Sequence, residues 1–132
     1  MILNAFVHAD YFIRSNIKIE FFNDRCEILA PGAFYDGLTL EDALNRLQSF
    51  RNEKLVKLLF KLGYIENYAS GLTRVFNEYK RVNLVPEIRT SLTFFKITLP
   101  NINFKAFNHQ DKVNGEVNGE VNGEVNGEVN NR

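Results

Sequence analysis

Asn4, His8 and Tyr11 stand at i, i+4 and i+7 in the segment Asn4-Ala5-Phe6-Val7-His8-Ala9-Asp10-Tyr11. On a helix, that spacing puts an amide, an imidazole and a phenol on one face. Ile2, Leu3, Phe6 and Val7 would form the apolar stripe beside them. Such a face suits a ligand pocket, because each group offers a hydrogen bond to a bound polar molecule. The plainer reading is a helix whose polar groups face water or satisfy the core. His8 with Asp10 also invites a histidine–carboxylate catalytic reading. The two are only two residues apart, so they leave a helix on different faces, and no Ser or Cys nucleophile accompanies them. Hydrolytic catalysis by that pair is therefore set aside.

These residues need a scaffold, and the apolar periodicity supplies one. The first helix covers Met1–Ala9, and Asp10 to Asn16 form a turn. Ile17, Ile19 and Phe21 alternate with Lys18 and Glu20, a half-buried strand. Asn23-Asp24 supply turn chemistry, and Cys26–Ala30 return antiparallel. Pro31-Gly32 break that strand, and a loop runs on to Gly37. Thr39 is an N-cap for a helix over Leu40–Leu47, with Asp42 at the capping-box position. Asn52 caps the next helix, whose core face is Leu55, Val56, Leu58, Leu59 and Leu62, and Gly63 is its stop. After the loop Tyr64–Ser70, a last helix carries Leu72, Val75, Phe76 and Tyr79 on one face. Glu87–Thr90 and Ser91–Leu99 read as two short strands or one bent strand. The fold class is α+β: a two-layer sandwich, its antiparallel or mixed sheet covered by helices on one face.

Composition separates body from tail. The chain has 132 residues with 12 Phe, 5 Tyr and no Trp, and every aromatic lies before residue 108. Residues 1–99 form the folded domain and 100–112 a linker. Residues 113–132 are a low-complexity tail in which Val-Asn-Gly-Glu repeats four times. One Val per repeat buries too little to offset the chain entropy of a Gly-rich segment. The net charge is zero, but five acids against two bases give residues 111–132 a charge of −3 and the body +3. So small a body charge does not mark a nucleic-acid binder. The row Arg51, Lys54, Lys57, Lys61 is a basic stripe, read chiefly as a solvated helix face and otherwise as a DNA-backbone contact. The lone Cys26 excludes an internal disulfide and fits a reducing cytoplasm. No apolar run approaches the roughly 18 residues of a membrane span. Two histidines and one cysteine give no zinc pattern.

The segment at Asn4–Tyr11 resembles the N-A-x-x-H-R-D-Y signature of the ATPase-like C-terminal domain of RecG-related helicases and Schlafen AlbA-type transcriptional regulators. Further segments agree in order: Ile17–Phe22 with Asp24-Arg25, Cys26–Leu29 with Pro31-Gly32, Gly37–Asp42, Arg51-Asn52, and Gly63–Glu66 with Ser70–Val75. The resemblance implies a GHKL-ATPase-like fold. It also implies ATP with Mg²⁺ as cofactor, with Asn4 as the metal ligand and the general-base Glu one turn earlier, before Met1. The chain is accordingly expected to be a piece of a longer protein and to lack ATP turnover. Cofactor-binding positions implied by the family are Asn4, His8, Asp10, Tyr11, Gly32, Gly37, Ser70, Gly71 and Arg74. Two departures weaken the site. Ala30 stands where relatives carry an Asp or Asn that accepts from adenine, and Ala69 replaces a Gly in the loop at the last helix. No G-x-x-x-x-G-K-[ST] motif occurs, which disfavours an active ATPase or helicase motor in this chain. The function expected is a degenerate nucleotide-binding or regulatory module acting on DNA through other domains. The alternative is a ligand-free dimerisation module. Self-association into a homo-oligomer is expected either way, from the apolar surface and open sheet edge.

Overall fold

Strand alternation builds the scaffold. The computed structural model describes residues 1–66 and 71–105. Met1–Ile102 form one unit, to which everything below refers. The linker beyond residue 105 and the repeat tail at 113–132 lie outside the described residues, as do Asn67–Ser70. Four strands, β1 (Lys18–Phe21), β2 (Arg25–Pro31), β3 (Glu87–Thr90) and β4 (Phe94–Pro100), form one sheet in the order β1-β2-β4-β3. All three pairings are antiparallel. Two tight hairpins decide the outer two, β1–β2 and β3–β4: Phe22 N–H donates to the Arg25 carbonyl at 2.8 Å, and Ser91 N–H to the Phe94 carbonyl at 2.9 Å. The segment 87–99 is therefore two strands, not one bent strand.

The register places Ile19, Ile28, Ile97 and Ile88 in a single row across all four strands. Ile97, in the middle of the row, is 1% exposed. The other face alternates sign by row. Glu20, Glu27, Thr98 and Glu87 form one line, and Lys18, Leu29, Lys96 and Arg89 the next. Glu27 accepts from Arg25 at 2.7 Å and from Lys96 at 3.2 Å. These cations hold its carboxyl below the usual carboxylate range. An apolar face and a charged face make a sheet that takes helices on one side only.

The helix layer is α1 (Ile2–His8), α2 (Leu40–Leu44), α3 (Glu53–Lys61) and α4 (Gly71–Arg81), with a 3-10 turn at Tyr35–Gly37. Ala5 of α1 joins Ile28, Ala30 and Ile97 in the buried cluster, and Leu72 of α4 packs against it. Of the stripe expected on α1 only Val7 is buried, together with Ala5, while Ile2, Leu3 and Phe6 are exposed. Small side chains let the helix backbone approach the sheet, and the larger ones are left outside.

Local signals hold at the helix ends. Thr39 and Asp42 make the reciprocal capping box, with bonds of 3.2 and 2.8 Å. Arg46, in a left-handed conformation at φ 67°, follows the end of α2, which stops at Leu44 rather than Leu47. Gly63 at φ 76° closes α3, with Tyr64 N–H reaching back to the Leu59 carbonyl at 3.0 Å. Only Val56 of α3 is buried, and Leu58 and Leu62 of the expected core face are exposed. On α4, Leu72, Val75, Phe76 and Tyr79 do share the half-buried face. The Tyr79 hydroxyl donates to the Pro100 carbonyl at 2.9 Å. No helix among the described residues is long and apolar enough to cross a membrane.

Candidate functional site

A helix leaves its last carbonyls without intrahelical partners. In α1, side chains from elsewhere supply them. The helix ends at His8, and Ala9 turns into extended backbone at φ −57°, ψ 143°. Tyr11 therefore does not continue the face of Asn4 and His8. Its hydroxyl folds back and donates to the Phe6 carbonyl at 2.6 Å. Burial pushes that phenol's pKa up, so it stays a neutral donor. The Val7 and Ala9 carbonyls both accept from the Asn52 side-chain amide, at 2.9 and 2.8 Å. Asn52 is the residue before α3, yet its side chain makes no capping bond to that helix. Its role is to clamp the end of α1, 43 and 45 residues away.

Arg51, beside it, points inward. Its Nη1 lies 3.4 Å from Asp10 Oδ2, and Nη2 donates to the Ala33 carbonyl at 3.2 Å. The guanidinium carbon sits 5.2 Å from the Tyr35 ring centre. The ion pair is well shielded, with side-chain exposures of 16% for Arg51 and 26% for Asp10. Asp10 is held in turn: its N–H donates to the Pro31 carbonyl at 2.8 Å, and Oδ1 accepts from Phe12 N–H at 3.0 Å. Arg51 Nη1 is buried without a hydrogen bond, so Asp10 serves it as a charge partner and not as an aligned acceptor.

Gly32 makes this arrangement possible. Its φ is +96°, and a Cβ placed there would lie 2.0 Å from Arg51 Nη1 and 2.7 Å from Asp10 Cβ. The glycine leaves the room that the guanidinium fills. Arg51 thus leaves the basic stripe proposed for α3, and Lys57 of that stripe pairs with Glu53 at 3.7 Å.

His8 stacks on Phe50 with ring centres 6.0 Å apart. Burial first, and the Arg51 charge second, hold its pKa below the ordinary 6.5. The folded imidazole is therefore neutral, while the unfolded one takes up a proton as pH falls below about 6.5. Stability is complete above that value and is lost as pH drops through it. Between pH 7.5 and 5.5 the loss is at most about 1.4 kcal/mol, and thermal melts should show it. The same melts on His8→Gln should be flat across this window; an equal decline in both proteins would assign the effect elsewhere.

The structure thus brings His8, Asp10, Tyr11 and Gly32 into one region with Phe50, Arg51 and Asn52. Tyr11, Tyr35, Phe50, Arg51 and Lys54 line a cleft of about 610 Å³ there. Asn4 is half-buried on α1, makes no side-chain hydrogen bond among the described residues, and does not line this cleft. Gly37, at φ +73°, ends the 3-10 turn with open space around it. Gly71 opens α4, and Arg74 is exposed one turn in. Ser70, implied by the family as a cofactor-binding position, and Ala69 lie outside the described residues. Sequence reading missed the inward turn of Arg51 and Asn52. The signal the sequence holds for them is the match of Arg51-Asn52 to the family pattern, since helical spacing alone puts Arg51 on the surface of α3.

The fold has a solved counterpart. The crystal structure of the DIP2311 protein from Corynebacterium diphtheriae superposes with a TM-score of 0.66 at 23% identity. The likeness covers 75% of this chain and 21% of that one, so this chain spans about a fifth of that protein's length. No curated protein matches the sequence. The family described as "Putative ATP-dependent DNA helicase recG C-terminal" matches residues 14–99, and the chain belongs to that family.

Proposed function

We propose that this domain is a degenerate nucleotide-binding module with a regulatory role, acting on DNA through domains outside this chain. One observation carries the reading. The Arg51 guanidinium fills the space over Gly32, in the loop that the GHKL-type resemblance would assign to the nucleotide. Beside it Ala30, at the position of the adenine acceptor, is buried and has no polar side-chain atom. Losing one partner of a buried polar contact costs about 1–3 kcal/mol, or roughly tenfold to a hundredfold in affinity. With the guanidinium over Gly32 and no side-chain acceptor at Ala30, the described residues fit a nucleotide poorly, and Asn4 is the side chain that the resemblance offers to Mg²⁺.

Calorimetry with ATP and Mg²⁺ tests this. The expected result is no saturable binding tighter than about 100 μM, and no phosphate release above background. Saturable binding well below that, lost in Asn4→Ala, would overturn the proposal.

A second reading, a ligand-free dimerisation module, is favoured by a different observation. Ile2, Phe21, Phe22, Val82 and Ile102 are exposed around one apolar groove of about 770 Å³. Its floor is the helix-side face of β1 and β2, including Ile19 and Cys26.

A further inference from the structure

We infer that two copies of this chain join edge to edge through β1, in a two-fold antiparallel pairing centred on Ile19. The inference gives the second reading above its surface, and it stands whether or not a nucleotide binds. β1 is an edge strand, paired only to β2 among the described residues. Its main-chain groups divide by position. Phe22 N–H bonds to Arg25 across the hairpin. Hydrogen-bonded pairs in an antiparallel ladder recur every second residue, so Glu20 and Lys18 also direct their main-chain groups toward β2. Ile17, Ile19 and Phe21 direct theirs outward, and none of these outward groups has a backbone partner among the described residues. Such an edge is a template for another strand.

The sequence of the edge is self-complementary. With Ile19 opposite Ile19 of the partner subunit, Lys18 falls opposite Glu20 of the partner subunit, and Glu20 opposite the partner's Lys18. Ile17 falls opposite Phe21 of the partner subunit. In this register Ile17, Ile19 and Phe21 are the hydrogen-bonded positions on both strands, which gives about six backbone bonds. Opposite charges meet on the outer face, and apolar side chains meet on the helix face. Within one chain Glu20 faces Glu27, a like-charge pair that the partner's Lys18 relieves. Phe21 is 80% exposed in the single chain, and it lines the groove where the helix layer leaves β1 bare. The other edge, β3, does not offer this. Pro86 precedes it and has no N–H to donate, and its Glu87 and Arg89 already bond each other at 2.7 Å.

Charge exchange on the full chain tests the register. Sedimentation should show a dimer for the natural sequence at about 100 μM. Lys18→Glu and Glu20→Lys each place like charges opposite across the two-fold, so each should raise the dissociation constant about tenfold or more. The double variant K18E/E20K restores opposite charges and should return to within about threefold of the starting value. An equimolar mixture of the two single variants should pair with each other in preference to themselves. Phe21→Lys, which keeps the β1–β2 ladder, should also dissociate the dimer. A monomeric natural chain, single exchanges without effect, or a double exchange that fails to restore association would each overturn the proposal. The calorimetric response to ATP should be the same in all these variants, so this test and the nucleotide test fail separately.

Discussion

Replacing Gly32 with alanine should lower the melting temperature by about 10–25 °C. The effect has two parts. At φ +96° a side chain strains the backbone by about 1–2 kcal/mol. The added Cβ would also lie 2.7 Å from Asp10 Cβ and 2.0 Å from Arg51 Nη1. Asp10 Cβ is fixed by its backbone, so the chain must shift there. Arg51 can swing away, but it then gives up Asp10 and the Ala33 carbonyl, at about 1–3 kcal/mol. The total is about 2–5 kcal/mol, and a domain of this size loses about 4–8 °C for each. Arg51→Ala in the same background separates the parts. The double variant should melt higher than the sum of the two single losses allows, because the contact between the sites is counted once. A Gly32→Ala protein that melts within about 2 °C of the natural one would show that Arg51 does not need that space.

Asn52→Leu should cost nearly as much, about 2–4 kcal/mol. Leucine keeps the approximate shape and removes both donors. The Val7 and Ala9 carbonyls are then left without partners, and Ala9 is fully buried, where water does not replace the bond. Asn52→Asp distinguishes the clamp from a helix cap. Asp and Asn cap helices about equally well, so a capping role would leave stability unchanged. In the clamp, a carboxylate would face two carbonyl oxygens and repel both. Thermal melting of Asn52→Asp should therefore show a loss at least as large as that of Asn52→Leu, and an unchanged melt would return Asn52 to a capping role.

Both positions mark where sequence reading stops. Gly32 is visible as a strand breaker after Pro31, and Asn52 as a polar residue before a helix. Neither signal says what lies opposite. Arg51 sits at a spacing that matches Lys54, Lys57 and Lys61, so periodicity alone places it on a solvated face. Its partners, Asp10 and Ala33, are 41 and 18 residues away in the chain and become neighbours only on folding. The segment Asn4–Tyr11 has the same ambiguity. Its polar residues have helical spacing, but α1 ends at His8, so Tyr11 does not share the face of the other two.

What the sequence determined by itself is local. Period-two alternation set the strands, and the pairing of β1 with β2 followed from a two-residue turn. The capping box at Thr39 and Asp42, the glycine stop at Gly63 and the half-buried face of α4 all rest on neighbours within a few residues. The tertiary structure decided the rest. Ala5 and Val7, rather than the larger Ile2, Leu3 and Phe6, became the buried side of α1, because close approach of a helix to a sheet favours small side chains. Leu58 of α3 and Leu62 at its end stayed exposed because hydrophobic pattern fixes which residues share a face, not whether a second layer covers it. The Arg51–Asp10 pair over Gly32, and the clamp from Asn52 to α1, depend on unsatisfied charges and carbonyls that exist only once distant elements have met.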